Sequence, residues 1–410
     1  IAEEKVDVAC PLVIVENSRK VMALLCSAFY GNPSKKFTLV GITGTNGKTT
    51  TAFVIKDILK ELGVQSGLIG TVKNMVGDKD FHTELTTPDP YDMHALFKMM
   101  VDEGIEYCVM ETSSQAFHQM RLAGIHFVVG AFTNLTQDHL DYHGTLDEYK
   151  KCKKNLFLNC DKAIFNNDDE ASSFMREGIV APATDYSINE KSDYKAENVE
   201  LFSDRVEYNL NGQKVVFHIP GGFSVYNSLT AISVVNNLGF DLEKVINAAF
   251  YAKSVSGRVE VLKTNTDFSV IIDYAHSPDG LEKAINAVRG FTKGRVITLF
   301  GCGGDRDKTK RPIMGKIAGT LADFCVVTSD NPRSEDPMSI IRMVEEGVKE
   351  ATNEYVVIES RYDAIKYALE NALEGDVIIL AGKGHETYQI LNTGTIHFDE
   401  REVVAEVLKE

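Results

Sequence analysis

Short runs rich in Val, Ile, Leu and Phe recur along the chain at 37–40, 107–111, 127–133, 162–166, 270–273, 295–300, 324–328 and 376–381. Between them, 49–62, 92–103, 145–158, 224–237, 278–289, 308–321, 338–351 and 361–373 carry apolar residues three and four apart, the spacing of one helical face. Strands alternating with helices predict parallel sheets covered on both faces. In such sheets ligands sit beyond the carboxyl ends of the strands, so chemistry is expected in the residues that follow each apolar run.

Residues 185–220 break this rhythm. The stretch from Glu197 to Gly221 alternates with a period of two and carries Asn211-Gly212, a hairpin turn signal, so it reads as an antiparallel addition to the central domain. The chain turns again at 253–258, and a fresh α/β series opens at Val270. A length of 410 residues exceeds what one core usually needs. The predicted fold class is α/β, with a central domain (36–252) on a mostly parallel sheet and a C-terminal Rossmann-like domain (253–410).

Composition narrows the function classes. Hydrophobic content of 44% and charged content of 25% are those of a soluble globular protein. The net charge of -16, with no block of Lys and Arg to offset it, argues against nucleic-acid binding. No apolar run approaches a membrane span, and the start shows no basic-then-apolar leader, so no membrane partner is expected. Seven dispersed cysteines without a C-x-x-C pair suggest reduced thiols and a cytoplasmic setting.

The strongest chemical signal is Thr43-Gly44-Thr45-Asn46-Gly47-Lys48-Thr49-Thr50, between a predicted strand and a predicted helix. Glycines let backbone amides turn toward an anion, and the helix N-terminus adds partial positive charge. Lys48 can reach the outer phosphates of a nucleoside triphosphate, and the hydroxyl of Thr49 or Thr50 can ligate Mg2+. The common pattern G-x-x-x-x-G-K-[ST] is not met, because Ile42 occupies its first Gly position. Such a loop serves switches, kinases, motors and ligases alike, so other residues must discriminate.

Glu111 ends the run at 107–111, where a carboxylate can hold a hard cation. His139 and His143 follow the run at 127–133, in the company of Asn134, Asp138 and Asp141. Four lysines then crowd 150–154. Helical spacing puts Tyr149, Lys153, Leu156 and Phe157 on one face with Leu146, and turns Lys150, Lys151 and Lys154 elsewhere. A half-buried lysine near a metal is disfavoured as an ammonium, and suits the site better neutral or as a carbamate.

Taken in order, "TGTNGKTT", "TTPDP", "METSSQ", "FTNLTQDHLDYHG", "NLF", "YNSLTA", "SGRVE", "DYAHSPDGLE", "FGCGGDRDKTKRP", "SDNPR" and "AGKGHETYQ" span nearly the whole chain, which thereby resembles the Mur ligases, ATP-dependent amide-forming enzymes of peptidoglycan synthesis. The resemblance is strongest to the activity that adds the third residue to UDP-N-acetylmuramoyl-L-alanyl-D-glutamate. It implies that Gly44, Thr45, Asn46, Gly47, Lys48, Thr49 and Thr50 bind ATP, with Asn227, Arg258 and Asp273 as further nucleotide contacts. It implies Thr49, Glu111 and His139 as Mg2+ ligands, and Lys153 as a carbamylated lysine supporting a second Mg2+; Lys48, Glu111, His139 and Lys153 are the expected catalytic set. Thr86, Thr87, Ser113, Gln119 and Arg121 are expected to grip the UDP-linked muramoyl dipeptide, and Arg306, Asp330, Asn331, Arg333, Gly382 and Glu386 the incoming diamino acid. The implied chemistry converts the substrate's glutamate carboxylate into an acyl phosphate, which an amine attacks, with domain closure excluding water.

In the resembled family Asp-Asn-Pro-Arg accompanies meso-2,6-diaminopimelate. The physical reason is legible: diaminopimelate carries a distal carboxylate that the fork of Arg333 can hold through two parallel hydrogen bonds, and lysine lacks it. Residues 1–35 are expected to be the remnant of an N-terminal uridine-binding domain, and a monomer is expected. Gln115, Thr112 and Ser224 stand where the family often has His, Val and Asn, which puts local substrate contacts in question. The alternatives are the same ligation with L-lysine, folylpolyglutamate synthesis, and a non-catalytic nucleotide-binding protein.

Overall fold

The computed structural model describes residues 1–136 and 140–409. The chain divides into two compact units, one of Ile1–Val199, Tyr208–Phe217 and Val225–Lys253, the other of Glu200–Glu207, His218–Ser224 and Ser254–Glu410.

The first is organised on an eleven-stranded sheet. Its strands are β1 (Thr38–Thr43), β2 (Ser66–Ile69), β3 (Asn74–Val76), β4 (Lys79–Phe81), β5 (Tyr107–Glu111), β6 (Phe127–Phe132), β7 (Cys160–Asn166), β8 (Ala183–Ser187), β9 (Tyr194–Leu201), β10 (Val206–Leu210) and β11 (Gln213–Phe217). They lie in the order β11-β10-β9-β8-β7-β6-β1-β5-β2-β3-β4. Every pair from β2 across to β9 is parallel, whereas β3 and β4 join antiparallel at the far edge. β1 sits between β5 and β6, with Ile42 opposite both Glu111 and Ala131. The phosphate loop, Glu111–Ser113 and Thr133–Asn134 therefore leave the sheet side by side. The predicted hairpin turn is present: β10 and β11 are neighbours joined through Asn211 (φ 50°) and Gly212 (φ 79°), the left-handed pair that a tight two-residue turn requires.

The helix carrying the lysine cluster is shorter than the spacing predicts. It runs over Leu146–Lys154, starts at Thr145, whose Oγ1 accepts from the Glu148 amide at 3.2 Å, and gives way to a 3-10 turn at Phe157–Asn159. Tyr149, Lys153, Leu156 and Phe157 are all buried as expected, but Leu146 is 36% exposed. It occupies the first turn of the helix, ahead of the packed face, and leaves the stripe to the other four.

The second unit holds a six-stranded sheet of β12 (Glu260–Leu262), β13 (Ser269–Asp273), β14 (Val296–Phe300), β15 (Phe324–Val327), β16 (Tyr355–Val357) and β17 (Val377–Ala381). The order is β12-β13-β17-β14-β15-β16, all parallel except the β12 edge. Continuous apolar strands have a core on each face: Ile271, Phe300 and Val327 pack with the helices Pro278–Arg289 and Pro337–Lys349, while Ile272, Leu299 and Val326 pack with Arg361–Glu370 and Glu400–Val407. A separate two-stranded ribbon, β18 (Tyr388–Leu391) and β19 (Gly394–His397), completes the unit. All seven cysteines are free thiols and five are buried. Among the described residues no helix is long and apolar enough to cross a membrane.

Candidate functional site

The phosphate loop is held from below by the residues that follow β6. Thr133 Oγ1 donates to the Asn46 carbonyl at 2.6 Å, and Asn134 takes the Asn46 amide on Oδ1 at 2.9 Å while its Nδ2 returns to the Asn46 carbonyl at 3.1 Å. Gly44 adopts φ 149°, and a Cβ there would lie 1.9 Å from Thr133 Oγ1. Gly47 adopts φ 83°, where a Cβ would meet Asn227 Oδ1 at 2.5 Å. Both glycines are thus required by backbone sign and by space. The helix Lys48–Glu61 begins immediately afterwards, so its amide end faces the loop.

Two ammonium groups reach one carbonyl of this loop. Lys48 Nζ donates to Gly44 O at 2.9 Å and Thr45 O at 2.8 Å, and Lys153 Nζ donates to Gly44 O at 2.7 Å. Lys153 is buried and lies over the Tyr149 ring, 4.3 Å from its centroid, while the Tyr149 hydroxyl meets Thr45 Oγ1 at 3.2 Å.

Glu111 ends β5 fully buried. Thr49 Oγ1 donates to its Oε2 at 2.9 Å, and Thr71 donates through both its amide, to Oε1 at 2.8 Å, and its hydroxyl, to Oε2 at 3.0 Å. A buried carboxylate beside the hydroxyl at the start of the phosphate-loop helix is an oxygen donor set that fits Mg2+. His139, the other expected metal ligand, lies outside the described residues, as does Asp138. His143 is described and donates to or accepts from Ser114 Oγ at 2.8 Å.

Beside this corner opens a cleft of about 400 Å3, lined by Lys48, Thr86, Thr87, Ser113, Gln115, Gln119, Arg121, Tyr149 and Lys153 among others. All five expected dipeptide residues border it. Thr87 Oγ1 donates to the Glu111 carbonyl at 2.8 Å and accepts from the Ser113 amide at 3.0 Å, tying one wall to the end of β5. Arg121 donates to the Thr87 carbonyl and, through Nε, to Gln119 Oε1 at 3.0 Å. Thr86 meets Thr71 across 3.0 Å. Of the three family departures, Thr112 and Ser224 are buried and bonded to the Ile42 and Pro220 carbonyls at 3.0 and 2.8 Å, so only Gln115 faces the cleft.

A second cluster gathers at the strand ends of the other unit. Asn331 donates through Nδ2 to Glu386 Oε2 at 2.8 Å; Lys383, fully buried, reaches the same oxygen at 3.1 Å and Asn331 Oδ1 at 3.3 Å. Gly382, at φ 118°, leaves no room for a Cβ, which would lie 2.6 Å from Asp330 Oδ2. Arg333 takes φ 55°, and its Nη1 donates to the Gly304 carbonyl at 2.8 Å. Arg306 sits on the same Gly-rich turn, with Nη1 on the Asp305 carbonyl at 3.0 Å. Glu335 anchors that turn by accepting from the Asp305 amide at 2.7 Å, and its hydrogen bonds from Arg311 hold its carboxyl down at about 2.

Arg258 and Asp273 meet around β13. Burial pushes Asp273 up, against the opposing pull of Arg258, and its Oδ2 accepts from the Val259 amide at 2.8 Å. Arg258 lies over the Tyr274 ring, whose centroid is 4.9 Å from that of His385. Gly257 is pressed against this turn: a Cβ would lie 2.1 Å from the His385 amide nitrogen. Asn227 belongs with the phosphate loop through Gly47 rather than with this pair.

Thr71, Thr133, Lys383 and Gln389 hold these clusters in place and are absent from the sequence-level set. Thr71 follows a strand too short for its apolar run to stand out, and Lys383 and Gln389 fall within a quoted motif from which only Gly382 and Glu386 are singled out.

The Mur ligase middle domain matches residues 42–235, and the Mur ligase glutamate ligase domain matches 257–384. The UDP-N-acetylmuramoyl-L-alanyl-D-glutamate–2,6-diaminopimelate ligase 1 of Clostridium acetobutylicum is 49% identical over 98% of this chain and 84% of its own length. This chain belongs to the Mur ligase family. The ligase of the same name from Caldanaerobacter subterraneus subsp. tengcongensis is 48% identical over 97% of this Mur ligase chain and 84% of its own. A solved structure of a UDP-N-acetylmuramoyl-L-alanyl-D-glutamate–2,6-diaminopimelate ligase superposes with a TM-score of 0.75 at 29% identity, covering 99% of this chain and 85% of the other. The folylpolyglutamate synthase of Mycobacterium tuberculosis, in complex with ADP and AMPPCP, reaches 0.69 at 16% identity over 88% of this chain and 92% of its own, a likeness of fold alone.

Proposed function

We propose that this Mur ligase joins meso-2,6-diaminopimelate to the glutamate carboxylate of UDP-N-acetylmuramoyl-L-alanyl-D-glutamate at the expense of ATP, in peptidoglycan precursor synthesis. The reading rests above all on the Asp330–Arg333 loop, whose arginine offers a guanidinium where the acceptor's second carboxylate would need one.

A carboxylate does not expel oxide, so the substrate oxygen takes the γ-phosphoryl group and ADP leaves; the deprotonated amine then attacks the acyl carbon and phosphate departs. In this reading residues 36–252 carry the nucleotide and dipeptide sites, and 253–410 the amino-acid site. Lys48, the amides of Gly44–Thr50 and the start of the helix neutralise the phosphates, with Asn227, Arg258 and Asp273 as further nucleotide contacts. Thr49 and Glu111, with His139, would hold Mg2+, which supplies charge neutralisation for the converging oxygens. Lys153, enclosed between Tyr149 and the loop, would react as its free amine with CO2, forming an N–C bond and releasing a proton, and the resulting carbamate would support a second Mg2+. Thr86, Thr87, Ser113, Gln119 and Arg121 orient the dipeptide; Arg306, Asp330, Asn331, Arg333, Gly382 and Glu386 receive the amine. The reaction is set in the cytoplasm, where ATP and reduced thiols coexist.

The deciding assay measures ADP release with the UDP-linked dipeptide and a panel of amines. Release that requires diaminopimelate is expected. Lysine serving equally well would remove the role given to Arg333, glutamate-dependent release with a folate would favour the folate enzyme, and release indifferent to any amino acid would sink the ligase reading.

A further inference from the structure

The Asp330–Arg333 loop is tied to the ribbon β18–β19 as well as to Gly304, Lys383 and Glu386. Gln389 Nε2 donates to the Asp330 carbonyl at 2.6 Å, the Ile390 amide donates to Asn331 Oδ1 at 2.9 Å, and the Arg333 amide donates to the Ile390 carbonyl at 3.0 Å. Pro332 has no amide to offer, so three of the four residues are pinned by two consecutive ribbon residues. Gln389 is buried, although β19 beside it is exposed along its whole length. On the other side of the loop, a Cβ on Gly304 would lie 1.9 Å from the Pro332 carbonyl oxygen. Arg333 is left in the left-handed region at φ 55°, a conformation that a non-glycine residue keeps only when its surroundings over-determine it.

Resting on the diaminopimelate reading above, we propose that Gln389 is a specificity-positioning residue: by fixing the Asp330 carbonyl and the start of the ribbon, it holds Arg333 in the backbone conformation that aims the guanidinium at the acceptor's distal carboxylate. It touches no substrate and acts through Arg333. A neutral isostere of similar length that lacks the donor removes the bond and leaves a buried carbonyl without it, whereas the nucleotide contacts at Arg258 and Asp273 are untouched.

The test is a double-mutant cycle on the full chain. Gln389→Met should raise the KM for diaminopimelate about tenfold, the equivalent of one buried hydrogen bond lost, and leave the KM for ATP within about twofold. In an Arg333→Ala background the same change should add less than about twofold, because the residue it serves is gone. Gln389→Leu, a second neutral side chain without the donor, guards against an artefact of the methionine: both variants should melt as cooperatively as the parent and behave alike. Fully additive effects, or equal losses for ATP and diaminopimelate, would overturn the proposal. A parent enzyme that ignores diaminopimelate would instead overturn the functional reading itself, before any variant is made.

Discussion

Lys48 and Lys153 deliver their ammonium groups to a single oxygen, the Gly44 carbonyl, from opposite ends of the sequence that builds the site. Lys48 follows the loop directly, as the sequence pattern requires of a phosphate-binding lysine. Lys153 arrives 109 residues after Gly44, on a helix whose buried face it shares with Tyr149. If Lys153 works as a carbamate, removing its side chain deletes an anion, and a small carboxylate can diffuse in to replace it. Lys153→Ala should lower kcat by roughly a hundredfold or more, with partial recovery in added acetate or formate. Full activity without the lysine, or a loss that no carboxylate relieves, would contradict that role. Lys153 was legible because helical spacing alone separates it from its three neighbours. Thr71 was not, because its meaning lies in the pairing of β2 with β5, which brings it to a carboxylate 40 residues away.

Elements carry the next layer of the argument, since the site is a row of strand ends. β1 and β5 were visible as apolar runs, and their order in the sheet puts the phosphate loop beside Glu111. β3, β4 and β16, three residues each, are too short to show a period, and the ribbon's β19 is exposed throughout and so has no apolar signature. The close of β2 illustrates what such hidden geometry controls. A Cβ on Gly70 would stand 2.3 Å from Glu111 Oε1, yet Gly70 does not occupy the left-handed region, so alanine is allowed by the backbone and refused only by the carboxylate. Gly70→Ala should therefore displace Glu111 while sparing the fold. If Glu111 holds Mg2+ as proposed, the Mg2+ concentration for half-maximal rate should rise about tenfold, with melting temperature close to the parent. An unchanged Mg2+ response would remove Glu111 from the metal site.

At the scale of the whole molecule the chain is acidic, and its stability toward acid is set by which groups gain protons on unfolding. Half-buried Asp57 and Asp169 and buried Asp273 are pushed up, mainly by desolvation, so they favour the folded state as pH falls through their raised values. Against the desolvation that opposes them, Asp168, Asp323 and Asp376 are held down by their hydrogen bonds, and the stability they give is lost as pH falls below the ordinary carboxylate range. His94 acts in a different window. It is fully buried on the helix Pro90–Asp102 against Phe97, neither ring nitrogen has a hydrogen-bond partner among the described residues, and burial lowers it from 6.5 to about 4. Because the unfolded imidazole binds protons more readily than the folded one, the neutral-ring contribution is complete above pH 6.5 and is withdrawn as pH falls toward 4. By pH 5 the linkage amounts to about 2 kcal/mol. His94→Leu keeps an apolar group of comparable reach and removes the titration. Its urea midpoints at pH 7 and pH 5 should therefore lie closer together than the parent's, by the equivalent of about 2 kcal/mol, while every carboxylate contribution remains in both proteins. Parallel losses in parent and variant would mean that His94 takes up its proton without unfolding, through water reaching the ring from the surface of the helix.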